Sequence, residues 1–227
     1  MGDALRFHVR PSLADPALLL AFDGWNDACE AASTAASFVA DAFQAVTLAE
    51  IEGEDFYDFT VRRPAVRGGP GEPRRIEWPS YRFRYAEAAG RGVVVGEGGE
   101  PHLRWRAFTR EVVALVRACG VRRVVLLGAD LADVLYSLPV AVRGTAPAGQ
   151  AEVLGLAPSA YEGPTGIVGV LGERLREEGL EVTSLWAGLP HYISLTPNPR
   201  GALALAERAA RVLGVEADLE PLRDAAA

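Results

Sequence analysis

Four short apolar runs, at residues 17–22, 92–95, 123–127 and 182–187, constrain this chain more than any other feature. None alternates with period two, so each has the character of a strand buried on both faces. Helical patterns follow most of them. In residues 27–42, Ala28, Ala31, Ala35, Val39 and Ala42 recur at three- and four-residue spacing. In residues 103–119, Phe108, Val112, Leu115, Val116 and Cys119 do the same, leaving Arg106, Arg110 and Arg117 for solvent. A third helix is expected over 164–178, with Pro164 at its first turn, and a fourth over 201–213. Strand and helix in repeated order predict an α/β fold: a three-layer α/β/α sandwich with a mainly parallel sheet and crossover helices. The 227 residues suit one such domain, with the chain from about 215 onward left as a flexible tail.

Two stretches break the rhythm. Residues 45–92 hold β-like runs at 45–51, 56–61 and 75–85, interrupted by Arg67-Gly68-Gly69-Pro70-Gly71. They predict an antiparallel excursion with a Gly/Pro loop at its tip. In residues 131–161, a further strand is expected at 138–142 and a loop at 145–149.

Parallel strands end on one edge, and ligands of open α/β sheets gather there. Each apolar run here breaks into glycine and polar residues: Asp23-Gly24-Trp25-Asn26-Asp27, Gly96-Glu97-Gly98-Gly99-Glu100, Gly128-Ala129-Asp130 with Asp133 behind it, and Gly188-Leu189-Pro190-His191-Tyr192. Asp27 followed by Glu30 reads as an acidic capping box for the first helix. The glycines from 96 to 99 read as a tight turn, flanked by two carboxylates that would repel phosphate. Glu162-Gly163-Pro164-Thr165-Gly166 opens the third helix, whose free N–H groups suit an anion. Glycines at 163, 166, 169 and 172 point to close backbone packing there. The candidate ligand contacts are therefore Trp25, Asn26, Asp27, Glu97, Asp130, Glu162, Thr165, His191 and Tyr192. His191 with Tyr192 has the chemistry of an acid/base or hydrogen-bonding pair, or of a helix-start residue bonded to backbone. No catalytic residue is assigned. Carboxylates at 23, 27, 97, 130, 133 and 162 outnumber the one histidine of this rim, which favours an amine, a metal ion or a hydroxyl-rich molecule over a polyphosphate.

Composition closes several routes. All 23 basic residues are arginine, so there is no Walker lysine, no Schiff-base lysine and no lysine general base. A net charge of −7 argues against a nucleic-acid partner. The first residues lack the apolar core of a signal peptide, and no apolar stretch approaches the ~20 residues that span a bilayer, so no membrane partner is expected and the chain reads as cytoplasmic. Cys29 and Cys119 read as small buried hydrophobes. No Cys/His cluster has zinc spacing, and no G-x-S-x-G elbow occurs, so neither a metal nor a Ser-His-Asp triad is expected.

A longer ordered set of motifs carries a resemblance. Gly24-Trp25-Asn26-Asp27-Ala28 is followed by Tyr57-Asp58-Phe59, Arg63-Pro64, Ile76-Glu77-Trp78-Pro79, Glu100-Pro101 and Leu103-Arg104-Trp105-Arg106. Leu127-Gly128-Ala129, Leu131-Ala132-Asp133-Val134, Gly144-Thr145-Ala146, Tyr161-Glu162-Gly163-Pro164-Thr165-Gly166-Ile167, Ser184-Leu185-Trp186-Ala187 and Pro190-His191-Tyr192 continue it. Over roughly residues 15–210 the chain resembles the bacterial branch of the proteasome assembly chaperone 2 family. The resemblance implies a fold like that of nucleoside phosphorylases and hydrolases, self-association into homo-oligomers such as trimers, and a chaperone-like role beside proteasome-type subunits. It carries no catalytic residues. The alternatives it leaves are a phosphorylase- or hydrolase-like enzyme using Asn26, Asp27, Glu162 and His191, and a ligand-sensing module binding a small polar molecule at the same edge. Two departures stand out. The sequence ends Leu222-Arg223-Asp224-Ala225-Ala226-Ala227, without the hydrophobic-Tyr-X tail through which some relatives dock, and Leu135-Tyr136-Ser137 replaces a Pro-His-Thr pattern. An ATP-grasp ligase label fits poorly, because such enzymes hold nucleotide phosphates with lysines; no cofactor is expected.

Overall fold

A computed structural model describes residues 4–157, 161–193 and 195–227. Among them, β1 (Leu5–Phe7), β2 (Ala17–Asp23), β3 (Val46–Glu52), β6 (Ser80–Ala88), β7 (Arg91–Gly99), β8 (Arg123–Ala132), β9 (Val142–Thr145) and β10 (Glu181–Pro190) form one sheet, while β4 (Ala65–Arg67) and β5 (Arg75–Glu77) form a separate ribbon. The main sheet runs in the order β1-β3-β6-β7-β2-β8-β10-β9. Its centre, β7-β2-β8-β10, is parallel; β6, β3, β1 and β9 extend it antiparallel at the two sides.

The central runs lack alternation because both faces are covered. On β2, Ala17, Leu19 and Ala21 pack with α1 (Ala31–Ala42) and α5 (Pro199–Leu213). Leu18, Leu20 and Phe22 pack on the other face, with α2 (Trp105–Cys119) and α4 (Ile167–Glu177). These layers make the α/β/α sandwich. A one-turn helix, α3 (Gln150–Val153), precedes α4, and α6 (Glu220–Ala226) packs on α5 with Leu222 buried, in the stretch expected as a tail.

Several local expectations are corrected. Residues 56–61 form no strand: the carbonyl of Gly53 accepts from Phe56 and Tyr57, that of Asp58 accepts from Val61 and Arg62, and the chain coils so that both aromatic rings are buried. The run 75–85 is split at Trp78-Pro79 between β5 and β6, which belong to different sheets. The strand expected at 138–142 begins only at Val142, where it pairs with Ala187 of β10. The third helix starts at Ile167 rather than Pro164, and the fourth at Pro199, where Asn198 caps it by accepting from the Gly201 N–H at 3.0 Å.

The strand ends are displaced most. β7 continues through Gly96-Glu97-Gly98-Gly99, so these glycines form strand, not a turn. A Cβ at Gly96 would lie 2.5 Å from Leu20 and 2.9 Å from the rings of Tyr81 and Phe83; the absent side chain is the space those rings occupy. Gly128 does the same for the indole of Trp186, 2.7 Å from where its Cβ would stand.

Candidate functional site

The chain enters β2, leaves through α1 on one face, and later leaves the adjacent strand β8 toward α4 on the opposite face. Neighbouring strands whose connections depart in opposite directions open a crevice at their carboxyl ends. Gly24, at φ 118, turns the chain out of β2 over this crevice, and the Asn26 carbonyl accepts from the Ala129 N–H of β8 at 2.8 Å.

Asn26 is fully buried. Its Nδ2 donates to Glu100 Oε1 at 2.8 Å, and the same oxygen accepts from the Ile167 N–H at 2.8 Å. One carboxylate thus ties the end of β2 to the first turn of α4, where a negative charge also suits the helix dipole. Gly166 closes the knot: a Cβ there would stand 2.2 Å from Asn26 Oδ1 and 2.7 Å from Glu100 Oε1.

Asp27 caps α1, but not through a box with Glu30. Cys29 and Glu30 both sit at φ 53 in left-handed geometry, which delays the helix to Ala31. Asp27 Oδ1 accepts from the Ala32 N–H at 2.6 Å, and Oδ2 accepts from the Ser33 hydroxyl at 2.5 Å. Burial pushes its carboxyl above the usual carboxylate value, against the lowering effect of these bonds. Asp27→Ala is expected to lose about 1–2 kcal/mol in urea unfolding, the usual worth of a cap. Because the folded state holds this proton more tightly than the unfolded one, the acid's favourable contribution is complete below the ordinary aspartate value and is lost as pH rises through the higher folded value. The wild type should therefore gain on Asp27→Asn as pH falls from 7 toward 4; a constant difference would refute the assignment.

Asp23, Glu97 and Asp130 at this edge are each paired with an arginine. Arg62 holds Asp23 in a bidentate contact at 2.5 and 2.8 Å, beneath the ring of Tyr57. Glu97 Oε2 accepts from Arg84 at 2.7 and 3.0 Å, and Asp130 pairs with Arg143 of β9.

Recesses open beside this framework, and two of them have contrasting linings. One, about 600 Å3, lies between the ends of β2 and β8 and the approach to α4; its walls include Trp25, Leu131, Tyr161, Pro164, Thr165 and Trp186, with the Asp130–Arg143 pair on one side. Trp25 and Tyr161 stand 66% and 68% exposed at its mouth. The other, about 700 Å3, is a polar cleft where Ser33, Ser37, Thr47 and Ser80 meet the Asp23–Arg62 and Arg84–Glu97 pairs.

The nine candidate residues are thus divided. Trp25, Asp130 and Thr165 line the first recess, Glu97 the second, and Asn26 and Asp27 hold the framework. Glu162 is exposed and lines neither recess. His191 and Tyr192 are exposed beyond β10, rings edge to face at 5.5 Å, with the Tyr192 hydroxyl accepting from the Tyr136 N–H. Glu100, Arg62, Arg143 and Trp186 are the contributors that the candidate set omits; the Glu100-Pro101 and Ser184-Leu185-Trp186 motifs were the available signals. Among the described residues, no group of three His, Cys, Asp or Glu side chains is arranged to hold a metal, and no helix is long and apolar enough to cross a membrane.

Residues 21–227 match the PAC2 family. The chain belongs to the PAC2 family. It is similar to a Mycobacterium tuberculosis proteasome-assembly chaperone homologue at 41% identity, over 92% of this chain and 90% of that one, with a TM-score of 0.85. A PAC2 family protein from Streptomyces avermitilis is also 41% identical, over 93% and 92% of the two chains, with a TM-score of 0.87. An archaeal proteasome activator from Pyrococcus furiosus shares the PAC2 fold at a TM-score of 0.77 but only 16% identity, over 98% of this chain and 93% of that one. No curated protein matches the chain.

Proposed function

We propose that this PAC2 family protein is a cytoplasmic, homo-oligomeric assembly factor of chaperone type. In this reading the aromatic recess between β2 and β8 holds an apolar segment of a partner subunit, with proteasome-type subunits as the first partners to test. The observation that carries it is the contrast between the two kinds of group at the edge. The aromatic groups are open to solvent at a 600 Å3 apolar recess, whereas Asp23, Asn26, Asp27, Glu97, Glu100 and Asp130 are each engaged by another part of the chain. An apolar recess whose bordering charges are held by other parts of the chain suits binding better than bond-making. The likeness to a proteasome-assembly chaperone homologue supports the same reading. Two free cysteines agree with a reducing compartment.

Native mass spectrometry with proteasome α-type subunits from the same organism tests it. A complex is expected at micromolar concentration. Trp25→Ala should weaken it about tenfold or more, the effect of losing an aromatic anchor, and leave the melting temperature unchanged because the ring is exposed. Equal binding by both proteins, or no complex, would remove the recess from the account.

The polar cleft favours a second reading, in which a hydroxyl-rich or amine ligand sits against Asp23, Ser33 and Glu97. A thermal-shift screen of polyols, nucleosides and amines addresses it, and no shift with any class would discard it.

A further inference from the structure

The β4–β5 ribbon stands outside the main sheet, three residues to each strand, its ends joined by residues 68–74. An isolated two-stranded ribbon is marginal in water and leaves both edges unpaired. This one also shows its apolar side chains to solvent. Val66 and Ile76 face each other in register, 60% and 52% exposed, and Trp78, 54% exposed, follows with the ring of Phe59 tilted against it at 5.0 Å.

Its charge opposes that of the molecule. Residues 61–84 carry seven arginines against two glutamates, a balance of +5; the remainder holds the other 16 of the 23 arginines and 28 of the 30 carboxylates, a balance of −12. Part of the positive charge is internally matched, since Arg62 holds Asp23, Arg67 and Arg82 share Glu77, and Arg84 holds Glu97 and Asp41. Arg63, Arg74 and Arg75 have no partner among the described residues. An aromatic and aliphatic ridge bordered by arginines has the composition of a protein interface.

We propose that this arm is the contact through which copies of the chain associate. It packs on the acidic body of a neighbouring copy, covering Val66, Ile76 and Trp78 and pairing the three free arginines with carboxylates. Like charge opposes arm-to-arm contact, so the complement is the body. Glu216, Asp218, Glu220 and Asp224, all exposed beside a single Arg223, form one such acidic strip. The inference rests on the homo-oligomer part of the function proposed above and names its surface.

Light scattering on a sizing column, with native mass spectrometry, compares the full-length wild type with two variants: Val66→Glu with Ile76→Glu, and Arg74→Glu with Arg75→Glu. The expected result is an oligomeric wild type whose dissociation constant rises at least a hundredfold in both variants. Circular dichroism should be unchanged, because the substituted side chains lie on the surface of a ribbon outside the main sheet. The arginine variant changes no apolar contact within the ribbon, so it keeps the test decisive if the first variant folds poorly. Variants as oligomeric as the wild type would overturn the arm and leave self-association standing on another surface. A wild type that is monomeric at micromolar concentration would overturn self-association altogether, while the Trp25-dependent partner complex remains a separate measurement.

Discussion

Phe22→Ala is expected to lower stability by about 4 kcal/mol, within the usual range for removing a buried aromatic ring. Phe22 is fully buried at the last full turn of the β2 pleat, stacked on Tyr81 at 4.6 Å and edge-on to Phe108 at 5.9 Å. It is the point where β2, β6 and α2 meet. Tyr81 is anchored beside it by donating its hydroxyl to the Ala21 carbonyl at 2.9 Å, so the ring cannot swing in to fill the void without giving up that bond. For a chain of this size the loss corresponds to a fall in melting temperature of about 10 °C. Scanning calorimetry checks it, and a fall of only a degree or two would show that the aromatic cluster collapses freely.

Glu100→Ala should cost about 3 kcal/mol, because it removes one acceptor shared by two donors. The Asn26 amide would be left buried without its partner, and the Ile167 N–H would lose the group that satisfies the start of α4. Glu100→Gln retains an acceptor oxygen and should lose only about 1 kcal/mol, the difference reflecting the charge. Urea unfolding gives the magnitudes. Hydrogen exchange locates them: the Ile167 amide should exchange faster in Glu100→Ala while the α5 amides do not. An alanine variant within 0.5 kcal/mol of wild type, taken as roughly the noise level for neutral substitutions, would reduce the knot to a passive contact.

The layered α/β fold was legible because buried parallel strands and amphipathic helices write themselves into local periodicity. Residues 17–22 coincide with nearly all of β2 for that reason. The strand ends were not legible. At Gly96 and Gly128 a glycine looks locally like punctuation, yet each is the counterpart of an aromatic ring on a neighbouring strand, and nothing near it in sequence announces that ring. The same separation hid the edge chemistry. Asp23 and Arg62, Asn26 and Glu100, and Asp130 and Arg143 meet only after the sheet forms. Of the carboxylates read from sequence as an attractive field for a cation, Asp23, Glu97 and Asp130 are paired with arginines in the folded chain, and Asp27 is taken up as a helix cap. Asp27 shows a finer version of the same limit: its capping role was readable, but the left-handed pair Cys29-Glu30 moved the helix it caps.

The position of β2 bears on how this molecule comes into being. Leu19 pairs with Val95 on one side and Val125 on the other, so the most apolar strand of the chain leaves the ribosome long before either neighbour exists. Closing such distant pairings is slow, and apolar segments left waiting are prone to wrong association. A protein wired in this way is, during its own synthesis, the kind of chain that benefits from company.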